Sequence, residues 1–414
     1  MPNLKKTVKP AITIVVLGDL GRSPRMQLHA LALADLAKVC LIGEAGHAPY
    51  PQVEIHSDIQ QYLIRPLDRY LTMKRTGLRS ALQLIWQSIA LLIALLRSPK
   101  ADVILMQCPP SLPAFSICRA VAKLKSSRLV LDWHNYSFSI LAQRLGEDHW
   151  IVKLVKYYEK RMGPKAHTNL CVSVCMKQEL QQRWGLPQVQ VFHDRPGPMF
   201  FPLSPTQLAQ TRALYPKYFK NSFNIICPSS WSSDDDFELL LQALPLLEQI
   251  AEQSCLNFSF LLTGDGPTKA HWSPILTGLN LNHIQVFTPW LDAADYPKLV
   301  GCAHLGLSLH RSTSKVDLPM KIVDMQGAGL VVCALDYGPC LQEQIQDGIN
   351  GFLFTTPGQL AQKLLQLATP QSVELLQTMQ ERVIARTTVT WEQQWQQLLP
   401  QLYHAGDNAV QARL

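Results

Sequence analysis

The chain is 414 residues long, 47% hydrophobic and 17% charged, with a formal net charge of +7. Its length suggests two or three domains, and its apolar content is enough for sizeable cores. Ten cysteines are scattered without a Cys-x-x-Cys pair, and Cys108, Cys171 and Cys227 sit inside apolar runs; this favours buried thiols in a reducing compartment over disulfides, and Cys171 and Cys175 have too few partners nearby for zinc.

Charge is uneven. Residues 1–200 hold 26 Lys and Arg against 13 Asp and Glu, whereas residues 201–414 hold 12 against 18. A basic half and an acidic half imply two units with different partners. The basic half suits anionic lipid, a diphosphate or nucleic acid. Without zinc-finger spacings, RNA-binding aromatic motifs or a recognition-helix pattern, nucleic acid is the weakest of the three.

In chain order, the apolar run 11–17 is too short for a signal-peptide core and reads as the first strand. Gly18-Asp19-Leu20-Gly21-Arg22-Ser23-Pro24-Arg25 follows as a turn, 26–37 as a helix and 39–43 as the next strand. A Gly-bearing loop between strand and helix is where α/β folds bind anions, although this one is neither Gly-x-Gly-x-x-Gly nor a Walker loop. Arg22, Ser23 and Arg25 are candidates to hold phosphate or carboxylate; a plain strand–helix turn is the commoner use of such a loop. The 82–96 segment is the most apolar, flanked by Lys74, Arg75, Arg79, Arg97 and Lys100, and it falls short of the roughly 20 residues that span a bilayer. It reads as a helix buried against the sheet or, less commonly, one dipping into a membrane interface.

Strands at 102–106 and 128–131 follow, the second ending in Asp132-Trp133-His134-Asn135-Tyr136-Ser137. Acid, base and amide side chains clustered at one strand end form the best catalytic candidate, since a general base can be a carboxylate or an imidazole. A helix over 152–162 carries Glu159. Proline density from 196 to 205 marks an interdomain connection. The second half starts afresh with a strand at 223–227. The Asp234-Asp235-Asp236 run falls at the start of a helix through 247, where solvation and the helix dipole explain it better than a metal. The stretch 314–329 places Asp317 as N-cap, Pro319 in the first helical turn, and Lys321 and Asp324 beyond. A helix N-terminus with a lysine suits a diphosphate, and an aspartate suits a ribose diol. The pattern is two successive strand–helix arrays: residues 1–200, residues 201–390, and a C-terminal helix and tail over 391–414.

Gly18–Gln27 as a block, Leu131-Asp132-Trp133-His134-Asn135-Tyr136, Tyr158-Glu159-Lys160, Asn169-Leu170-Cys171-Val172, Thr288-Pro289-Trp290-Leu291, Asp295-Tyr296-Pro297 and Asp317-Leu318-Pro319-Met320-Lys321-Ile322-Val323-Asp324-Met325 together carry a resemblance over nearly the whole chain. The chain closely resembles the chitobiosyldiphosphodolichol β-1,4-mannosyltransferase family of N-glycan assembly. The resemblance implies an α/β GT-B architecture, two Rossmann-like domains facing across a cleft. It implies inverting transfer of mannose from GDP-mannose to a polyprenyl-diphosphate-linked GlcNAc₂ at the cytoplasmic membrane face, without a metal or cofactor. Asp324 would then bond the ribose and Asp317 lie near the donor sugar, although the Asp-x₆-Asp spacing differs from the Glu-x₇-Glu of many GT-B enzymes. Ser230 and Gly266 would border the nucleotide. Lys321, Arg311 or Arg195 would neutralise the departing diphosphate, and Gly21, Arg22 and Ser23 would face the acceptor diphosphate. Asp132 is the first choice for the base, His134 the second and Glu159 the third. Eukaryotic members carry an N-terminal anchor, so this chain would be peripheral, attached through 82–96. The alternatives are a GT-B transferase of polysaccharide assembly with another donor or acceptor, and a non-catalytic nucleotide-sugar or lipid-diphosphate binding protein.

Overall fold

The computed structural model describes residues 9–66 and 77–403. The chain forms two compact units: one from the N-terminus to His193 plus the segment from Trp391 onward, the other from Asp194 to Thr390.

The first unit is built on strands β1 (Ala11–Asp19), β2 (Lys38–Glu44), β3 (Ile59–Ile64), β4 (Val103–Cys108), β5 (Arg128–Trp133), β6 (Thr168–Cys171) and β7 (Val189–Val191). They form one sheet in the order β3-β2-β1-β4-β5-β6-β7, with every pair parallel. Near-continuous Val, Ile and Leu make β1 and β4 buried on both faces, as a helix-covered parallel sheet requires. The order reverses between β1 and β4, so the carboxyl ends of those strands frame the crevice where doubly wound folds bind ligands.

The 82–96 run lies in the helix Gly77–Arg97. The expected burial holds along one side only. Leu91 and Leu95, one turn apart, are buried, whereas Leu82, Leu84, Ile85, Ile89, Leu92, Ile93 and Leu96 are exposed. Its flanking Lys74 and Arg75, like the tail from Gly406, lie outside the described residues. No helix among the described residues is long and apolar enough to cross a membrane.

The second unit repeats the plan. Strands β8 (Phe223–Pro228), β9 (Phe258–Thr263), β10 (Ile284–Phe287), β11 (Leu305–Ser308), β12 (Val332–Leu335) and β13 (Gly351–Phe354) pair in parallel in the order β10-β9-β8-β11-β12-β13. Alternation places Ile225 and Cys227 in a core under the helices Phe237–Ser254 and Pro357–Ala368, and Ile226 in the opposite core with Ile322 and Met325 of the helix Met320–Gly327. One local expectation changes, at the start of the 320–327 helix. Pro319 is the residue before the 320–327 helix and Asp317 does not cap it, because that carboxylate turns instead to the Ser312 and Ser314 hydroxyls.

The helix Trp391–Tyr403 packs on the helix Pro24–Ala34, so this segment returns to the first unit after the second is complete.

Candidate functional site

In the first unit Asp132 is the penultimate residue of β5, at its carboxyl end, and Arg25 lies in the helix after β1. Both are buried. Arg25 grips Asp132 with two parallel hydrogen bonds, Nε to Oδ2 at 2.9 Å and an Nη to Oδ1 at 2.7 Å, and its Nη also donates to the Phe192 carbonyl at 3.0 Å. Arg25 does hold a carboxylate, then, but one supplied by the protein itself. Two imidazoles complete the shell: Nε2 of His29 at 3.0 Å and Nε2 of His134 at 2.7 Å, both on Oδ2. Burial would raise the Asp132 pKa, but Arg25, His134 and His29 outweigh it and hold the carboxyl well below its usual range.

The proton positions follow from chemistry. Trp395 Nε1–H, a donor only, points at Nδ1 of His29 at 3.0 Å. Nδ1 is therefore a lone pair and Nε2 carries the proton that goes to Asp132. Burial keeps His29 neutral, its pKa lowered to about 4. An ionised Asp132 only accepts, so His134 donates from Nε2, and its Nδ1 is left as the basic nitrogen. The His134 side chain is 21% exposed, whereas that of Asp132 is wholly enclosed. Asp132, with each oxygen already accepting, is thus placed to orient His134 rather than to receive a proton.

Glu159 is also enclosed. Its Oε1 accepts from the Ser137 N–H at 2.9 Å, at the start of the helix Ser137–Leu145, and Oε2 is buried without a hydrogen-bond partner. Burial raises its pKa. It anchors the turn carrying Asn135 and Tyr136, away from solvent.

Gly21, Arg22 and Ser23 lie on the same carboxyl edge. Asp19 accepts from Gly21 N–H at 3.1 Å and from His47 N–H at 2.9 Å, with the His47 ring also against it. A Cβ at Gly21 would stand 2.4 Å from the His47 carbonyl oxygen, so the two loops interlock. Arg22 is exposed and Ser23 Oγ donates to the Asp19 carbonyl. The sequence carries no local signal that brings Asp19 to His47 or His29 to Trp395. Asp19 and His47 are 28 residues apart, and His29 and Trp395 are 366 apart, spacings that carry no local signature.

In the second unit, the loops after β8 and β9 meet so closely that a Cβ on Gly266 would fall 1.9 Å from the Ser230 carbonyl oxygen. The Asp234–Asp236 run is not simply a solvated helix start. Asp236 caps the 237–254 helix through Leu239 N–H at 3.0 Å, but Asp235 is buried and bonds Lys321 Nζ at 2.6 Å, Ser229 Oγ at 2.7 Å and Ser230 N–H at 3.0 Å. Asp235 sits below its ordinary pKa because Lys321 and these hydrogen bonds outweigh burial. Arg311 pairs with Asp236 at 2.6 Å, and Asp317 faces His310 at 3.6 Å. Ser230, Lys321, Arg311 and Asp317 therefore gather at one sheet edge, tied through Asp235, Asp236 and His310. Asp324 lies farther along its helix; burial and the nearby Asp194 carboxylate push its pKa up to about 8. Arg195, next to Asp194, is held below its ordinary pKa by desolvation and by Arg386.

No protein-family model matches the chain. Whole-length relatives do. The chain is 34% identical over 434 residues to the Mus musculus chitobiosyldiphosphodolichol β-mannosyltransferase, covering 95% of this chain and 89% of that one. It is 33% identical over 429 residues to the Homo sapiens protein of the same name, covering 94% and 92%. The chain belongs to the chitobiosyldiphosphodolichol β-mannosyltransferase family. Among solved structures, Anabaena Alr3699/HepE with UDP and glucose superposes with a TM-score of 0.68 at 18% identity, covering 95% of this chain and 99% of that one. That likeness is one of fold: both units are Rossmann-like domains of the GT-B fold. This member of the mannosyltransferase family is an enzyme of the glycosyltransferase class.

Proposed function

We propose that the protein transfers mannose with inversion from GDP-mannose to a polyprenyl-diphosphate-linked GlcNAc₂, forming a β-1,4 linkage, as a peripheral protein on the cytoplasmic face of a membrane. The observation that carries the reading is the His134–Asp132 pair at the carboxyl edge of the first sheet, within a whole-length likeness to chitobiosyldiphosphodolichol β-mannosyltransferases. In this reading His134 Nδ1 takes the proton from the acceptor hydroxyl. That oxygen bonds to the anomeric carbon as the bond to the GDP oxygen breaks on the opposite face. Asp132 steadies the imidazolium that forms. Gly21, Arg22 and Ser23 receive the acceptor diphosphate.

The second unit holds the donor. Ser230 and Gly266 border the nucleotide, Asp317 lies near the sugar and Asp324 takes the ribose hydroxyls. Charge developing on GDP is met by Lys321, Arg311, Arg195 and the N-terminus of the 320–327 helix. No metal has a part in this mechanism, so turnover should be unchanged by EDTA; loss restored by added magnesium would replace these cations with an ion.

Asp324 gives the donor site a pH signature. Only an ionised carboxylate accepts from both ribose hydroxyls, and this one titrates near 8. GDP affinity should therefore rise as pH increases through about 8. Asp324→Asn should flatten that rise and weaken binding about tenfold or more at high pH. Calorimetry from pH 6 to 9.5, roughly spanning that titration, tests this; a flat wild-type profile removes Asp324 from the ribose.

The direct test is product formation from a synthetic GlcNAc₂-diphosphate-phytanyl acceptor. Mannose transfer with GDP-mannose, and none with UDP-glucose or UDP-GlcNAc, supports the reading. Transfer only from another donor would favour a transferase of polysaccharide assembly, and GDP binding without any turnover would favour a binding protein.

A further inference from the structure

The exposed side of the 77–97 helix is continuous with two neighbouring helices. Lys125, at the end of the helix Ala114–Lys125, donates to the Ser98 carbonyl at 2.6 Å. Tyr158 of the helix Trp150–Met162 bonds Ser116 Oγ at 2.7 Å. The three helices thus form one layer. Its outer side carries Ile85, Ile89, Ile93 and Leu96 on the first helix, Leu124 on the second, and Trp150, Leu154 and Tyr157 on the third, all exposed. Positions 85, 89, 93 and 96 recur at helical spacing, as do 150, 154 and 157, so each set is a stripe.

All three helices end at the amino edge of the first sheet, where β5 begins with Arg128. Arg97, Lys100, Arg119, Lys123, Arg161 and Lys165 gather towards those ends, and none makes an ion pair among the described residues. Lys165 is depressed below its ordinary pKa by desolvation and then by Arg161, Arg119 and Lys123, so these cations lie within reach of one another. Cations at helix C-termini complement the helix dipole, but the dipole gives no reason for apolar stripes beside them. Glu147 and Asp148 precede the 150–162 helix, at its other end.

We propose that the layer made by these three helices is the face on which the protein rests on an anionic lipid bilayer, the apolar stripes entering the interface and the six cations lying over headgroups. Exposed leucine, isoleucine, tryptophan and tyrosine beside unpaired lysine and arginine match the chemistry of an anionic membrane surface. This deepens the lipid-linked acceptor reading by naming the face that meets the membrane.

The test is flotation with phosphatidylcholine vesicles containing about 30% phosphatidylglycerol, an anionic surface of the kind basic segments bind. Wild type should co-float, and less so as phosphatidylglycerol is withdrawn. Ile85→Gln/Ile89→Gln/Ile93→Gln and, separately, Arg119→Glu/Lys123→Glu/Arg161→Glu should each lower partition at least about tenfold. Both should keep the wild-type melting temperature and the wild-type rate on a water-soluble short-chain acceptor. Rates unchanged on that acceptor separate loss of docking from failure of the catalytic reading. Failure of wild type to co-float, equal binding to uncharged vesicles, or wild-type partition by either variant overturns the proposal. So does self-association in sedimentation that the isoleucine variant abolishes, which would assign the face to a second copy.

Discussion

Asp132→Ala is expected to cost about 3–5 kcal/mol of stability, because it strands the buried Arg25 guanidinium without its counter-ion. Urea unfolding should show it as a lower midpoint. Arg25→Met combined with Asp132→Leu removes both charges and should recover most of the loss; if the double variant is as unstable as the single, the pair is not the cause. The pH dependence carries two signatures. Asp132 titrates lower in the folded protein than in the unfolded chain, so its contribution is present above about pH 4 and fades below it. His29 is lowered from 6.5 to about 4, so the unfolded chain takes up that proton first and stability declines as pH falls between those values. His29→Gln should remove the second decline and leave the first.

His134→Gln is expected to lower turnover by about 10²–10⁴-fold, the usual share of a general base, with GDP affinity and melting temperature close to wild type. The side chain is partly exposed and donates a single hydrogen bond to Asp132, so its loss disturbs folding far less than that of its partner. Retained turnover would move the base to another group on the same edge, and Asp19 with His47 is the pair to substitute next.

The two-unit α/β plan was legible because parallel strands buried on both faces leave apolar runs separated by helix-length segments. The Asp132-Trp133-His134 group is legible as polar side chains gathered at one strand end. Its contacts are not: residue type makes Asp132 the first choice for a base, and only the convergence of Arg25, His29 and His134 from distant positions shows its oxygens occupied. Asp235 was hidden for a similar reason. Three consecutive aspartates look alike as a string, but the entry geometry of the 237–254 helix turns the middle one inward to Lys321 and leaves the third to cap. The 82–96 helix was ambiguous because apolarity alone does not say which side meets the sheet.

The return of the 391–403 helix to the first unit has a consequence for synthesis. Trp391 and Trp395 enclose His29, and Trp395 sets its tautomer, yet they leave the ribosome only after the whole of the second unit. The second unit, continuous from Asp194 to Thr390, can complete its fold first, reversing the usual N-terminal-first order. A nascent or prematurely terminated chain lacking these two tryptophans leaves the Arg25–Asp132–His29 cluster open to water. The basic nitrogen of His134 would then gain its fixed setting only once Trp391 and Trp395 have been made.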